Sequence, residues 1–137
     1  MKRLKKLPKL IDDLKSGAYL ISKSLELEKI IANRDRKTAY FFIDGKYIGD
    51  SKSFFTLCSN TFKFPYESNN LDSFYDWLRD LSWIDKNRII ILFDNYALLE
   101  ANEPHRFKII INVFSKAVEE WKRTGRQGYI FLLDENA

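Results

Sequence analysis

The sequence predicts an α/β protein in which helices pack on a small central parallel β-sheet. Three short segments, 38–43, 88–93 and 129–133, are rich in the β-branched and aromatic residues typical of strands. Longer segments with apolar residues at helical spacing lie between them. Strands separated by helices pair in parallel, because the chain must cross the sheet between them. At 137 residues the chain is most simply one folded unit with a single core.

The N-terminal part of the chain gives weaker signals. Residues 1–8 are expected to be frayed, and apolar spacing over 10–14 predicts a short helix that Gly17 ends. A strand is predicted over Ala18–Ser22, and Ser24 is a suitable N-cap for a second helix. These elements are predicted to add an edge strand and a covering helix to the sheet.

The segment Thr38–Ile43 predicts the first strong strand, and Asp44–Gly45 predicts a tight turn after it. The residues that follow the turn either continue a hairpin or lead onward. Asp50 or Ser51 is then expected to cap a helix that runs to about Asn60.

A break at Phe64–Pro65 precedes the next helix, because proline disfavours helical backbone at the residue before it. Asn69 or Asn70 is the predicted N-cap of that helix. Its apolar stripe is expected to face the core and consists of Leu71, Phe74, Leu78 and Leu81.

The segment Arg88–Phe93 is a nearly continuous apolar run, which is typical of a strand covered on both faces. A long helix is predicted over Pro104–Arg123, ended by Gly125, and the last strand follows it. The predicted organisation is a basic N-terminal extension, residues 1–38, that is not an independent domain, and one domain over 39–137.

Charge is distributed unevenly along the chain. Residues 1–38 hold 11 basic against 5 acidic residues, whereas the remainder holds 12 against 14, so the net charge of +4 hides two different regions. Within 66–85 five acids are opposed by Arg79 alone. The basic N-terminal segment and the acidic 66–85 segment therefore indicate different roles.

Several classes of function are not supported by the sequence. The single cysteine, Cys58, cannot form an internal disulfide and indicates a reduced, cytoplasmic protein. The single histidine, His105, provides no two-histidine acid–base pair, and no Gly-rich phosphate loop is present. No apolar run approaches the length of a membrane span. We therefore predict no catalytic residues, cofactor, metal, small-molecule substrate or membrane association.

A row of acids on the predicted helix after Asn70 is the main candidate for function. Asp72 and Asp76 are four residues apart and share a helix face, where like charges repel. Tyr75 and Arg79 lie beside them, and Asp80 continues the row. A partner that presents arginine or lysine would relieve the repulsion. Spacing alone leaves two interpretations open, a partner-binding face and a solvated acidic surface.

Several motifs along residues 39–133 have the order and spacing of a known family. They are Phe42-Ile43-Asp44-Gly45, Phe64-Pro65-Tyr66, Asn70-Leu71-Asp72 followed by Asp76, Leu78-Arg79-Asp80-Leu81-Ser82-Trp83, and Val113-Phe114. In these features the chain resembles the barstar family of ribonuclease inhibitors. The resemblance implies a small parallel sheet packed with helices.

The resemblance also implies a function and a binding surface. The protein would bind a basic ribonuclease and occlude its active site, as an inhibitor of the immunity or antitoxin type. Asp76 would take the place of a phosphate in that site, Asp72 would pair with a neighbouring cation, and two tyrosines would supply aromatic contact. The predicted partner-binding residues are Tyr66, Glu67, Ser68, Asn69, Asn70, Asp72, Tyr75, Asp76, Arg79 and Asp80.

The chain departs from the family pattern at several positions. The loop between Pro65 and Asn70 is one residue short, and Ser68 stands where the family usually has glycine. Tyr75 replaces a frequent tryptophan, and Lys116 occupies a position where an inhibitor of this family can carry an acid. These departures predict a target that differs from a close barnase-like enzyme.

Two alternatives remain at the level of sequence. One is an interaction module with the same fold that does not inhibit a nuclease. The other is a basic RNA-binding protein that uses residues 1–38. Direct nucleic-acid binding is the less favoured, because a solvated structural role also explains the basic segment.

Overall fold

The computed structural model describes residues 1–23 and 35–134, so the helix predicted from Ser24 lies outside the described residues. The described strands are β1 (Lys2–Arg3), β2 (Gly17–Ser22), β3 (Thr38–Asp44), β4 (Arg88–Asp94) and β5 (Gln127–Asp134). The described helices are one 3-10 turn (Ile11–Asp13), α1 (Ser51–Thr61), α2 (Leu71–Asp80), α3 (Ala97–Asn102) and α4 (Pro104–Arg123).

All described strands pair in parallel, in the order β1-β2-β5-β4-β3. The α/β fold class is thus confirmed, including the N-terminal strand that extends the sheet. In the register of the central strands, Ile91 of β4 lies opposite Phe41 on one side and Ile130 on the other. Every residue of β4 is buried, as its continuous apolar run predicts.

Alternate residues of each strand face two separate cores. On β4, Ile89, Ile91 and Phe93 face the core formed with the helices. Ile90 and Leu92 face the opposite core, because successive side chains of a strand point to opposite faces.

The helices cover the first face through a cluster of phenylalanines. The Phe54 ring of α1 lies 5.2 Å from that of Phe93 on β4, 5.9 Å from that of Phe74 on α2 and 6.3 Å from that of Phe114 on α4. One ring thereby connects three helices to the sheet. These contacts fix the position of α2, which carries the acidic row.

Residues 4–16, which we call the strap, cover the second face of the sheet. The apolar side chains of the strap that pack on this face are Leu4, Leu7, Ile11 and Leu14. The Tyr129 hydroxyl of β5 lies 2.8 Å from the Leu14 carbonyl oxygen and 3.1 Å from that of Ile11. Burial raises the pKa of Tyr129, so the hydroxyl stays protonated and can donate to either carbonyl.

Arg88 joins the strap to the amino ends of the strands. Its Nη1 lies 3.0 Å from Asp35 Oδ2, its Nη2 pairs with the Asp12 carboxylate of the strap, and its Nε lies 3.3 Å from Gln127 Oε1. Arg88 is only 9% exposed, so these acceptors are needed to compensate for burial of its charge.

The N-terminal residues are more ordered than predicted. The prediction that residues 1–8 are frayed is wrong, since Lys2 and Arg3 pair with β2 and Leu7 is buried. The helix predicted over 10–14 is only a 3-10 turn, and Gly17 begins β2. Tertiary contacts explain the difference, because the second face of the sheet binds the apolar side chains of a largely extended strap.

Two further differences concern the segments around α1 and α4. After the Asp44–Gly45 turn the chain leads onward, and no described strand lies between β3 and α1. Helix α3 is absent from the predicted elements. It has only six residues and lies directly before Pro104, so it contains too few turns for a periodic apolar pattern. By contrast, β3, β4, β5, α1, α2 and α4 lie close to their predicted positions.

Replacement of Arg88 by Met keeps much of the aliphatic side chain and removes the donors that the guanidinium provides to Asp12 and Asp35. We expect the free energy of unfolding to fall by about 1.5–3 kcal/mol, the range for hydrogen bonds to charged groups. Urea denaturation measures the change. The control is Arg123→Met, whose side chain is 76% exposed, and which we expect to change stability by less than about 0.5 kcal/mol. An Arg88→Met protein as stable as the wild type would show that the ion pairs of Arg88 make no net contribution to stability.

Candidate partner-binding site

The candidate site consists of the 62–70 loop and helix α2. The beginning of the loop is clamped by aromatic packing: the Phe64 ring lies 5.8 Å from that of Phe62 and 6.2 Å from that of Trp83. The Trp83 Nε1–H donates to the Phe62 carbonyl oxygen at 2.9 Å. The beginning of the loop is therefore fixed to the segment that follows α2.

Ser68 attaches the other end of the loop to two helices. Its backbone N–H donates to Ser59 Oγ of α1 at 2.8 Å, while the Ser59 hydroxyl donates to the Phe55 carbonyl. The Ser68 hydroxyl lies 2.9 Å from Ser73 Oγ of α2 and 3.2 Å from the Asn70 carbonyl oxygen. Ser68 is not among the residues with positive φ, so the backbone here accepts a side chain in place of the expected glycine.

Asn70, one of the two predicted caps, is the N-cap of helix α2. The Asn70 side-chain oxygen accepts a hydrogen bond from the Ser73 N–H at 2.9 Å. Asp72 lies in the first turn, where a negative charge interacts favourably with the unpaired N–H groups. The loop conformation and the helix start are thus fixed by the same few polar groups.

The carboxyl end of α2 is held by side chains that lie more than 40 residues later in the sequence. Leu81 ends the helix in the left-handed conformation, with φ of 41°. The guanidinium of Arg126 donates to the carbonyls of Leu81 at 3.1 Å and Ile84 at 3.0 Å, and the Trp121 Nε1–H donates to that of Leu78 at 3.0 Å. Both ends of α2 are therefore anchored, which favours a rigid binding surface.

All but one of the predicted partner-binding residues reach the surface. Those exposed are Tyr66, Glu67, Asn69, Asn70, Asp72, Asp76, Arg79 and Asp80, and Tyr75 is half-buried. Ser68 is the exception, because it is 0% exposed. Ser68 was predicted as a contact residue from its place in the loop, but its hydroxyl and N–H form hydrogen bonds within the protein. Its side chain therefore shapes the loop and does not face a partner.

Exposed aromatic surface lies beside the acids. Tyr66 is 74% exposed, and its ring centre lies 6.1 Å from that of Trp77 on α2. Trp77 in turn lies 6.0 Å from Trp83, at the rim of the core, as predicted for both tryptophans. Aromatic groups next to carboxylates provide apolar contact area together with charge.

Arg79 interacts with two of the predicted contact residues. Its Nη2 lies 3.4 Å from Asp76 Oδ1, and its Cζ lies 5.3 Å from the centre of the Tyr75 ring. Both members of the ion pair are about half exposed or more, so the pair is screened by water and is weak in the free protein. The Asp76 carboxylate remains accessible to a stronger partner.

An open groove of about 690 Å³ separates α2 from α4 beside Asp76. It is lined by Ser73, Asp76, Trp77, Arg79, Asp80, Glu120 and Thr124. Glu120 and Thr124 were not among the predicted site residues. The sequence identifies Glu119 and Glu120 as part of an amphipathic helix, but which of the two faces α2 depends on how the helices pack.

Other candidate groups do not form a site. Cys58 is buried in α1, and burial raises the pKa of its thiol well above the ordinary value, so it is a core residue. His105 is exposed near the start of α4, and Lys116 is exposed farther along this helix, outside the groove. Across residues 1–23 and 35–134 there is no group of three or more side chains that could hold a metal ion. No helix within these residues is both long and apolar enough for a membrane span.

Comparison with known families gives one match. The family model described as barstar (barnase inhibitor) matches residues 38–133. The match runs from the start of β3 into β5 and includes the 62–70 loop, α2 and α4. The strap lies outside it. No curated protein matches the chain.

Replacement of Ser59 by Ala removes the acceptor of the buried Ser68 N–H. We expect a loss of about 1–3 kcal/mol in the free energy of unfolding, the cost of an unsatisfied buried donor, measured by chemical denaturation. Ser115→Ala is the matched control, because Ser115 also donates to the carbonyl four residues earlier but accepts no hydrogen bond from the described residues. Equal effects of the two variants would mean that the bond to Ser68 does not hold the loop.

Proposed function

Because the chain belongs to the barstar family, we propose that it is a protein inhibitor that binds a basic ribonuclease and covers its active site with the 62–70 loop and α2. The protein acts by occlusion and is not itself an enzyme. It needs no cofactor or metal for this role. We propose further that it is an immunity or antitoxin protein that works in the cytoplasm of the cell that produces it.

The observation that carries the proposal is the exposed Asp76 carboxylate on an anchored helix. Asp72 lies one turn before it and Asp80 one turn after it, while Phe74 and Leu78 bury the opposite side of the helix. A ribonuclease cleft contains cations that bind the phosphodiester group, so a row of carboxylates is complementary to it. Close charge pairs at such interfaces couple by roughly 1.5–7 kcal/mol and accelerate association.

The other residues of the surface have supporting roles in this proposal. Asp72 pairs with a cation beside the phosphate site, and Tyr66 and Tyr75 pack against the rim of the cleft. Glu120 extends the acidic surface across the groove. Since α2 and the loop are anchored in the free protein, little conformational entropy is lost on binding.

Replacement of Asp76 by Ala tests the proposal. We expect the affinity for the target nuclease to fall by about 2–4 kcal/mol, or roughly 30-fold to 1,000-fold, as for a charged residue at the centre of an interface. The affinity is measured by calorimetry and by inhibition of RNA cleavage. Barnase is the first enzyme to test, because the family description names it. If barnase does not bind, the target is captured from secreted fractions with tagged wild-type protein and compared with capture by an Asp72→Ala, Asp76→Ala double variant.

The matched control is Asp13→Ala, since Asp13 is an exposed aspartate on the strap. We expect Asp13→Ala to bind as tightly as the wild type. An Asp76→Ala protein that inhibits as well as the wild type would contradict the proposal. Capture of the same basic non-nuclease protein, lost in the double variant, would favour an interaction module without nuclease inhibition.

The strap provides the observation for a second candidate, an RNA-binding protein. Lys5, Lys6 and Lys9 are exposed on the outer side of the strap and pair with no acid among the described residues. Unpaired lysines of this kind attract phosphates. They lie on the opposite side of the sheet from α2, so the two candidate functions use separate surfaces.

A Lys5→Ala, Lys6→Ala, Lys9→Ala variant separates the two candidates. We expect its affinity for the nuclease to change by less than about threefold at physiological salt, because screening weakens charges so far from the interface. Binding to single-stranded RNA is measured in parallel by fluorescence anisotropy across a salt series. RNA binding that falls steeply with salt, and that the triple variant loses while Asp76→Ala retains it, would favour the second candidate.

A further inference from the structure

We propose that the strap of a second copy of this chain binds the acidic surface of α2 when no other partner covers that surface. The copies then associate head to tail. Self-association needs no nuclease, so it goes beyond the proposed function. The strap lies outside the matched family region, and the property therefore belongs to this chain and not to the family as a whole.

The strap presents positive charge that forms no ion pairs within the described part of the chain. Its apolar side chains pack on the sheet, which leaves Lys5, Lys6 and Lys9 exposed on the outer side. None of these three pairs with an acid among the described residues. Leu10, next to them in the sequence, is 58% exposed. The strap thus offers cations together with apolar surface.

The surface of α2 has the complementary composition. Asp72 and Asp76 are exposed acids, and Tyr66 of the preceding loop is 74% exposed. The groove of about 690 Å³ beside Asp76 is also lined by Asp80 and Glu120. A lysine side chain has a flexible apolar stem and a compact charge, so it can enter such a groove and place its ammonium among the carboxylates.

The positions of the two surfaces decide the form of the assembly. Helix α2 packs in the first core and the strap in the second, so the sheet lies between them. A two-fold dimer requires each copy to use both surfaces against the same neighbour, which this arrangement prevents. The contact between strap and α2 is therefore heterologous, and it repeats from one copy to the next.

The net charge of +4 opposes self-association mainly at long range. At physiological ionic strength, charges farther apart than about 8 Å are largely screened, whereas groups in contact lie within that distance. Exposed ion pairs are individually weak, so several must act together with the apolar contact of Leu10. We therefore expect an association that requires high protein concentration and weakens as salt is added.

Two features of the strap favour a second copy over RNA as its partner. Single-stranded RNA is held by aromatic side chains that stack on its bases, in addition to cations. Residues 4–16 contain no aromatic side chain. The strap also carries exposed acids, Asp12 and Asp13, which repel phosphate groups.

The test measures the mass of RNA-free protein by sedimentation at low salt, from about 10 µM to about 1 mM, because mass action favours association at high concentration. The wild type is compared with the triple variant of the strap lysines and with the Asp72→Ala, Asp76→Ala double variant. The matched control is Lys46→Ala, Lys52→Ala, Lys108→Ala. It changes the net charge as the triple variant does, at exposed positions outside the strap and α2.

We expect the weight-average mass of the wild type and of the control to rise about twofold over this range, and to return to that of the monomer at high salt. The triple and double variants each remain monomeric, because each lacks one half of the contact. An equimolar mixture of these two variants forms a 1:1 complex and nothing larger. In that complex the triple variant contributes α2 and the double variant contributes the strap.

Four results would overturn the inference: a monomeric wild type, association that either variant retains, equal loss in the control, and no complex in the mixture. Association that appears only after single-stranded RNA is added assigns the strap to RNA and overturns it as well. None of these measurements involves a nuclease. Inhibition by Asp76→Ala is measured in dilute protein, where copies are apart, so the proposed function is tested separately.

Discussion

The structure depends on a parallel sheet in which an internal strand, β4, has apolar side chains on both faces. Every residue of β4 is buried, and its side chains alternate between two cores. Apolar surface removed from water is the main source of stability, so each face of such a sheet needs a cover. Helices α1, α2 and α4 cover one face, and the strap covers the other. The strap is therefore part of the packing, although it lies outside the matched family region.

This division also separates the charges of the protein. The acids of α2 lie on the side of the helices, and the lysines of the strap lie on the opposite side of the sheet. A net charge of +4 describes neither surface. For a protein that meets a basic partner, the local field of the acidic surface steers the encounter more than the total charge does.

Helix α2 is held rigid by contacts with distant parts of the chain. Phe74 and Leu78 pack in the first core, and the carboxyl end of the helix is held by Arg126 and Trp121. The loop before it is fixed through Ser59 and Ser68. An acidic row repels itself, so these apolar contacts and hydrogen bonds offset the unfavourable charge spacing. The same anchors hold Arg79 and Asp76, which form an ion pair at 3.4 Å, on one fixed helix surface.

Local patterns in the sequence determined the central strands, the long helices and their caps, because these depend on periodicity and on neighbours a few residues away. The apolar run of β4, a helix cap at Asn69 or Asn70 and the Pro104–Arg123 helix are examples, and the structure selects Asn70 as the cap. The four-residue spacing of the acids likewise placed them on one helix face. Only the tertiary structure decided that Leu7 is buried, that Ser68 faces inward and that Glu120 lies beside Asp76. Each of these depends on contacts between segments far apart in the chain, whose geometry is set by how the sheet and helices pack, and no local pattern specifies that geometry.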